Sequence, residues 1–272
     1  MIQQADKFTR DTTYMNIKRI MFALIASTIS FQALSWGQTG HRVTGAIAEQ
    51  YLTPKAQAEI NKLLVNEDLA EVSTYADEMR SNPSEFWQKT ANPWHYVNVH
   101  QGKTYADLGA PPEGDAITAL KMFSKQLTNK QTSLEDRQLA VKFIVHIIGD
   151  LHQPFHSGTD IDQGGNAIKL EFFWEDSNLH RIWDSGLIDR QKLSYTEWTN
   201  KLSRKISTQQ AKDWMETNPE VWVAESAKLR AGLYPEKDKL SWGYQYRNLP
   251  IVKQQLTMAG VRIAAYLNEV FK

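Results

Sequence analysis

Apolar residues recur at intervals of three and four along most of the chain. This predicts helices over residues 39–52, 54–64, 67–80, 115–127, 134–151, 219–233 and 249–270. β-prone residues cluster in one place, 166–174, directly after Gly164-Gly165, and predict a small hairpin there. Residues 101–114 and 157–165 contain glycine or proline and interrupt the helical pattern, so they are candidate walls of a site. No repeat, low-complexity tract or linker divides the sequence. The pattern therefore predicts one mainly α domain.

The beginning of the chain reads differently. Lys18-Arg19 precede a largely apolar run from Ile20 to Phe31, followed by small residues at Ala33 and Ser35. The run is too short to span a bilayer, which takes about 20 residues. It has the build of a secretory leader cut before Trp36. Residues 1–14 are polar and read as an upstream extension, with Met15 as the start of the leader. The expectation is removal of 1–35, a domain over 36–272, no membrane anchor, a monomer, and a periplasmic or secreted location.

Composition narrows the function further. Among 272 residues, 31 are Lys or Arg and 31 are Asp or Glu, for a formal net charge of zero. A protein that coats many phosphates at once is excluded by that balance, whereas an enzyme gripping a few is not. There is no cysteine. An exported chain without disulfides has metal ions as its remaining cross-links.

Seven histidines occur, at 41, 95, 100, 146, 152, 156 and 180. His146 and Asp150 lie four apart, hence on one face of a helix that is apolar nearly all round, where an unpaired aspartate is costly. His152 and His156 follow around Pro154. His180 and Asp184 repeat the spacing on a second short helix. Imidazole and carboxylate without thiolate suit a catalytic zinc site and would also accept manganese or iron. For either pair alone, satisfied core histidines and salt-bridged aspartates are an equal alternative.

Six ordered segments carry a resemblance. They are Trp36-Gly-x-x-Gly-His41, Tyr75-Ala-Asp77-x-x-Arg80, Trp94-His95-Tyr96, His146-x-x-Gly-Asp150-x-His152-Gln-Pro154-x-His156, Gly164-Gly165-Asn166 and Leu179-His180-x-x-Trp183-Asp184. Together they resemble the zinc-dependent, single-strand-specific nucleases of the S1/P1 type, which share a helical fold with bacterial zinc phospholipase C. The resemblance implies a mainly α, single-domain phospholipase C/nuclease fold with one small β-hairpin and a buried cluster of three zinc ions. Residue by residue, it implies a first zinc held by Asp77, His95, His146 and Asp150. A second would take His156, His180 and Asp184. A third would take the free amine and carbonyl of Trp36, His41, and Asp150 as a bridge. His152 is not a ligand in that pattern and is expected to support its neighbours, and His100 is expected in a solvated loop.

The implied activity is hydrolysis of single-stranded DNA and RNA to 5′-phosphoryl products, with 3′-nucleotidase activity. Clustered divalent ions provide a hydroxide at neutral pH, neutralise phosphoryl charge and stabilise the leaving oxygen. Asp77 and Asp150 are catalytic in that scheme through the metal, and Arg80, one turn after Asp77, is expected to neutralise phosphoryl oxygens. Tyr96, Asn98 and Asn166 are the expected substrate-binding residues. Tyr96 resembles an aromatic that stacks on a nucleobase. Asn98 stands where fungal relatives carry aspartate, so their base preference does not transfer. The alternatives are a zinc phospholipase C, disfavoured because that relative is expected to carry glutamate at the position of Asp184, and a non-enzymatic zinc-binding protein.

Overall fold

The computed structural model describes residues 36–272. The expected leader, upstream extension and cleavage point fall on or border residues outside that range. The described chain is helical, with one small sheet. The first helices are α1 (Gln38–Glu49), α2 (Pro54–Leu64), α3 (Leu69–Val72) and α4 (Tyr75–Glu78), the last continuing into a tighter turn over Met79–Ser81. Next come α5 (Tyr105–Leu108), α6 (Ala116–Thr128) and α7 (Leu134–Leu151). Strands β1 (Lys169–Phe172) and β2 (Glu175–Asn178) follow, then α8 (Leu179–Arg181), a wide turn over Ile182–Gly186, and α9 (Leu187–Asp189). The chain ends with α10 (Tyr195–Ser203), α11 (Thr208–Asp213), α12 (Pro219–Arg230), β3 (Lys239–Leu240) and α13 (Trp242–Val270).

Local chemistry explains the helix boundaries. Thr53 accepts a hydrogen bond from Ala56 N–H, with Pro54 at the first helical position of α2. Asp115 and Thr118 form a reciprocal capping box at α6. The helix expected over 67–80 is broken at Ser73–Thr74. There the Ser73 hydroxyl bonds back to Ala70 O at 2.6 Å, and Ser73 O accepts from His146 Nδ1 at 2.7 Å. A carbonyl committed to a distant imidazole no longer serves the helix. The last helix begins at Trp242 rather than 249 and carries Pro250 in its interior, near exposed Tyr246, where water can satisfy the carbonyl that proline leaves open.

The hairpin is present. Its tip is Phe173-Trp174, both with positive φ (52° and 68°), which suits a tight two-residue connection. A third strand, β3, pairs parallel with β1 and extends the sheet to the order β2-β1-β3. No helix among the described residues is long and apolar enough to cross a membrane.

From Ala140 onward α7 is buried almost all round. It packs on α6, where the Phe123 and Phe143 rings stack at 4.5 Å, and on α12 and α13. The face of α1 that carries His41, Gly45 and Ala48 is buried. A Cβ on Gly45 would stand 2.2 Å from the carbonyl oxygen of Leu69, so glycine allows α3 to approach. Backbone atoms cannot swing aside as a side chain would. Gly45→Ala is therefore expected to destabilise the protein by about 1–3 kcal/mol, the range of overpacked cores, seen as a lower Tm. An unchanged Tm would contradict the close approach.

Candidate metal centre

The site grows from the C-terminal half of α7. His146 and Asp150 share one face of that helix and are both fully buried. Asp150 sits among four imidazoles: His95 Nδ1 and His146 Nε2 at 3.1 Å from Oδ2, His41 Nε2 at 3.3 Å and His156 Nδ1 at 3.7 Å from Oδ1. Asp77 approaches from α4, its Oδ1 at 3.9 Å from His146 Nε2 and 4.0 Å from His95 Nδ1. The His41 and His146 rings stack at 4.1 Å. Glycine at 149 makes room for His41, because a Cβ there would lie 2.9 Å from its Nδ1.

A second group forms where the turn after α7 meets α8. His180 Nε2 lies 3.2 Å from Asp184 Oδ2 and His156 Nε2 lies 3.7 Å from Asp184 Oδ1. The His156 and His180 rings stack at 4.9 Å. The potential ligand atoms within each of three sets, His41/Asp77/His146, His95/His146/Asp150 and His156/His180/Asp184, lie within 4.8 Å of one another.

Backbone carbonyls orient the imidazoles. Nδ1 of His146 faces Ser73 O at 2.7 Å, Nδ1 of His156 faces His95 O at 2.6 Å, and Nδ1 of His180 faces Gly164 O at 2.6 Å. A carbonyl only accepts, so each Nδ1 donates its proton there and each Nε2 is left turned toward the carboxylates. Gly164 adopts φ 59° in the turn that delivers its carbonyl.

The donor set fits a divalent cation. Asp150 Oδ1, His156 Nε2 and Asp184 Oδ2 are buried without a hydrogen-bond partner, and such groups are costly unless something positive or donating meets them. Nitrogen and oxygen donors without sulfur are what catalytic zinc accepts. The electrostatics agree. Burial opposes charge on Asp150, yet His146 and His156 outweigh it and hold the carboxyl well below its usual range. Burial likewise opposes protonation of His146, and Asp150 with Asp77 raises its pKa to about 9. Asp184 goes the other way: burial pushes it well above the carboxylate range despite His180.

His152 stands apart. Its Nδ1 donates to Ile148 O at 2.7 Å, and its Nε2 accepts from Arg262 Nη1 at 3.1 Å, a guanidinium also bound to Glu225 at 2.6 Å. Burial and the Arg262 charge lower its pKa to about 3. It is thus a neutral imidazole spoken for on both sides. Arg80 places Nη1 3.6 Å from Asp77 Oδ1, beside Asn92.

The segment after His95 is extended. Val97 N–H donates to His156 O and Val99 N–H to Gly158 O, both at 2.8 Å, with Val97 and Val99 buried and Tyr96 and Asn98 exposed on the alternate positions. Tyr96 and Asn98 line a cavity of about 400 Å³ with Pro111, Pro112, His100 and Asp160. His100, 41% exposed, pairs with Asp160 Oδ1 at 3.3 Å. Asn166 is half-buried and donates to Gln163 O at 3.0 Å. Gln153, unmentioned among the expected site residues, is fully buried and donates to Asp184 Oδ1. Its place two residues after a helix ending and directly before Pro154 was the signal available.

Comparison with known proteins adds the family. The family described as S1/P1 Nuclease matches residues 36–272. Among curated relatives, Endonuclease 4 of Arabidopsis thaliana is 30% identical, over 91% of this chain and 93% of that protein. Nuclease S1 of Aspergillus oryzae is 26% identical over 91% and 96%, and Nuclease P1 of Penicillium citrinum 27% over 86% and 97%. A solved structure, the alpha toxin from Clostridium absonum, is 14% identical with a TM-score of 0.44, covering 88% of this chain and 63% of that one. The match across the whole of 36–272, which contains every histidine and aspartate of the buried cluster, makes the chain a member of the S1/P1 nuclease family, hydrolases of phosphodiester bonds.

Proposed function

We propose that this protein is an exported zinc-dependent endonuclease that cuts single-stranded DNA and RNA to 5′-phosphoryl products and also removes phosphate from 3′-nucleotides. The observation that carries the reading is Asp150, a buried carboxylate facing four imidazoles from separate segments, with a second His/Asp group alongside. Asp77, His95, His146 and Asp150 would hold one zinc, and His156, His180 and Asp184 a second. His41, Asp150 and the amine and carbonyl of Trp36, freed by removal of 1–35, would hold a third. Bound zinc supplies acidified water and positive charge at the phosphate.

The chain's own groups do the rest. Arg80 is held at Asp77 by a 3.6 Å ion pair and is positioned to neutralise a phosphoryl oxygen. Buried His95 is followed by Tyr96, 37% exposed at the cavity, which offers a stacking face for a base while Asn98 offers both a donor and an acceptor to its edge. Asn166 would contact substrate from the loop after Gly164-Gly165.

The deciding experiment is metal analysis together with product assays on single-stranded DNA, RNA and phosphatidylcholine. Zinc uptake with 5′-phosphoryl products from the nucleic acids is the expected result. Choline phosphate release without nucleic-acid cleavage would favour a phospholipase, and zinc uptake without any hydrolysis a binding protein. Stacking on Tyr96 also requires an unpaired base. Cleavage of a perfect duplex is therefore expected to be slower than that of the same strand alone by at least about tenfold, since unstacking a base costs a few kcal/mol. Equal rates at equal salt would remove Tyr96 from this role.

A further inference from the structure

Gln153 uses both ends of its amide inside the protein. One end lies 2.6 Å from the backbone nitrogen of Phe155 and the other 2.5 Å from Asp184 Oδ1. The Phe155 N–H can only donate, so the amide oxygen must face it, and the NH2 end must face the carboxylate. The backbone supports this pose. Gln153 is extended (φ −85°, ψ 117°), as a residue before proline must be, and Pro154 follows. The main chain of Asp184 is tied as well, its carbonyl accepting from Gly37 N–H at 2.8 Å.

We infer that Gln153 is a positioning residue for the second metal group: it grips the turn that carries His156 and takes Asp184 Oδ1 out of play, so that Asp184 Oδ2 faces the cation with the Nε2 atoms of His156 and His180. This rests on the zinc reading above. An amide suits the task better than any other side chain. It occupies one carboxylate oxygen without neutralising the charge, as Lys or Arg would, and without repelling it, as Glu would. Asp184 Oδ2 is left buried with no hydrogen-bond partner and with His180 Nε2 at 3.2 Å. Without the Gln153 bond the carboxylate is free to rotate, and Oδ2 is no longer held at 3.2 Å from His180 Nε2.

The test uses Gln153→Met, which removes both hydrogen bonds at similar length, and Gln153→Glu, which keeps the acceptor for Phe155 N–H and loses the donor to Asp184. Zinc is titrated calorimetrically into metal-free wild type and variants, with circular dichroism and Tm recorded before zinc. Both variants are expected to bind zinc about 10- to 100-fold more weakly at one class of site, the usual cost of losing a group that orients a ligand, with the remaining class unchanged. A lower metal-free Tm with unchanged zinc affinity would make Gln153 merely structural and overturn the inference. Because a variant can fail to fold, the zinc-loaded wild type gives an independent reading. Its crystal structure should retain the bond from Gln153 Nε2 to Asp184 Oδ1 with the cation at Oδ2, and a cation at Oδ1 would overturn the inference. Wild type that takes up no zinc would remove the underlying reading and this one together, whereas normal uptake by wild type and variants alike would remove only this one.

Discussion

Asp150→Asn is expected to lower turnover on single-stranded DNA by about 10³-fold or more and to strip metal from two positions at once. The size follows from the number of groups that converge on one carboxylate. His95, His146 and His41 approach it within 3.3 Å, and His156 at 3.7 Å. An amide keeps the shape, removes the charge, and turns one acceptor into a donor aimed at imidazole lone pairs. A cation at a phosphate supplies several kcal/mol of charge stabilisation, and each 1.4 kcal/mol or so is tenfold in rate. His152→Ala is the comparison, because that imidazole is two residues along the chain and equally buried, yet faces Ile148 O and Arg262. It should retain its full metal content and lose stability by about 1–3 kcal/mol, because the buried Arg262 guanidinium loses one of its acceptors and keeps Glu225. Metal stoichiometry read beside turnover separates the two. Loss of the same amount of metal from both variants would show that the two faces of this turn have been assigned wrongly.

That comparison also marks where the sequence was legible. The four-residue spacing of His146 and Asp150 placed that pair on one face of α7, because helical period alone decides it, whereas His180 and Asp184 meet at 3.2 Å with Asp184 in the wide turn after α8 and not on one helix with His180. The break at Ser73 could not be read, since its cause is an imidazole 73 positions away. Helices α10 and α11 went unpredicted although Ser194/Glu197 and Ser207/Gln210 form capping boxes that are visible as motifs. Both helices are short, and α11 buries only Ala211, so the apolar period that would announce it is lacking. Pro250 hid the first turns of α13, and β3, two residues long, has no pattern at all. What escaped notice in the site was Gln153, whose partners are set by tertiary packing.

For protein that begins at Trp36, adding a single alanine before it is expected to remove most of the activity and about one zinc of the proposed three. The proposal gives Trp36 a ligand role through its α-amine. An amide nitrogen is a poor ligand because its lone pair is delocalised into the peptide bond, whereas an α-amine with a pKa near about 8 can lose its proton to a metal at neutral pH. The chain is held firmly at this point. Trp36 is fully buried, and the next residue, Gly37, donates its N–H to the backbone of Asp184 at 2.8 Å. A Cβ on Gly37 would press to 2.4 Å from Ser185 Oγ, so the chain is closely fitted there and cannot easily step aside for an added residue. On the proposed reading, export would then couple to activity: a precursor still carrying 1–35 would hold Trp36 as an amide and would lack the third zinc, which would spare RNA in the compartment where the chain is made. Protein beginning at Trp36 and protein beginning with the added alanine are compared by zinc content and by turnover on single-stranded DNA. Equal zinc and equal turnover would reduce Trp36 to a buried anchor and separate export from catalysis.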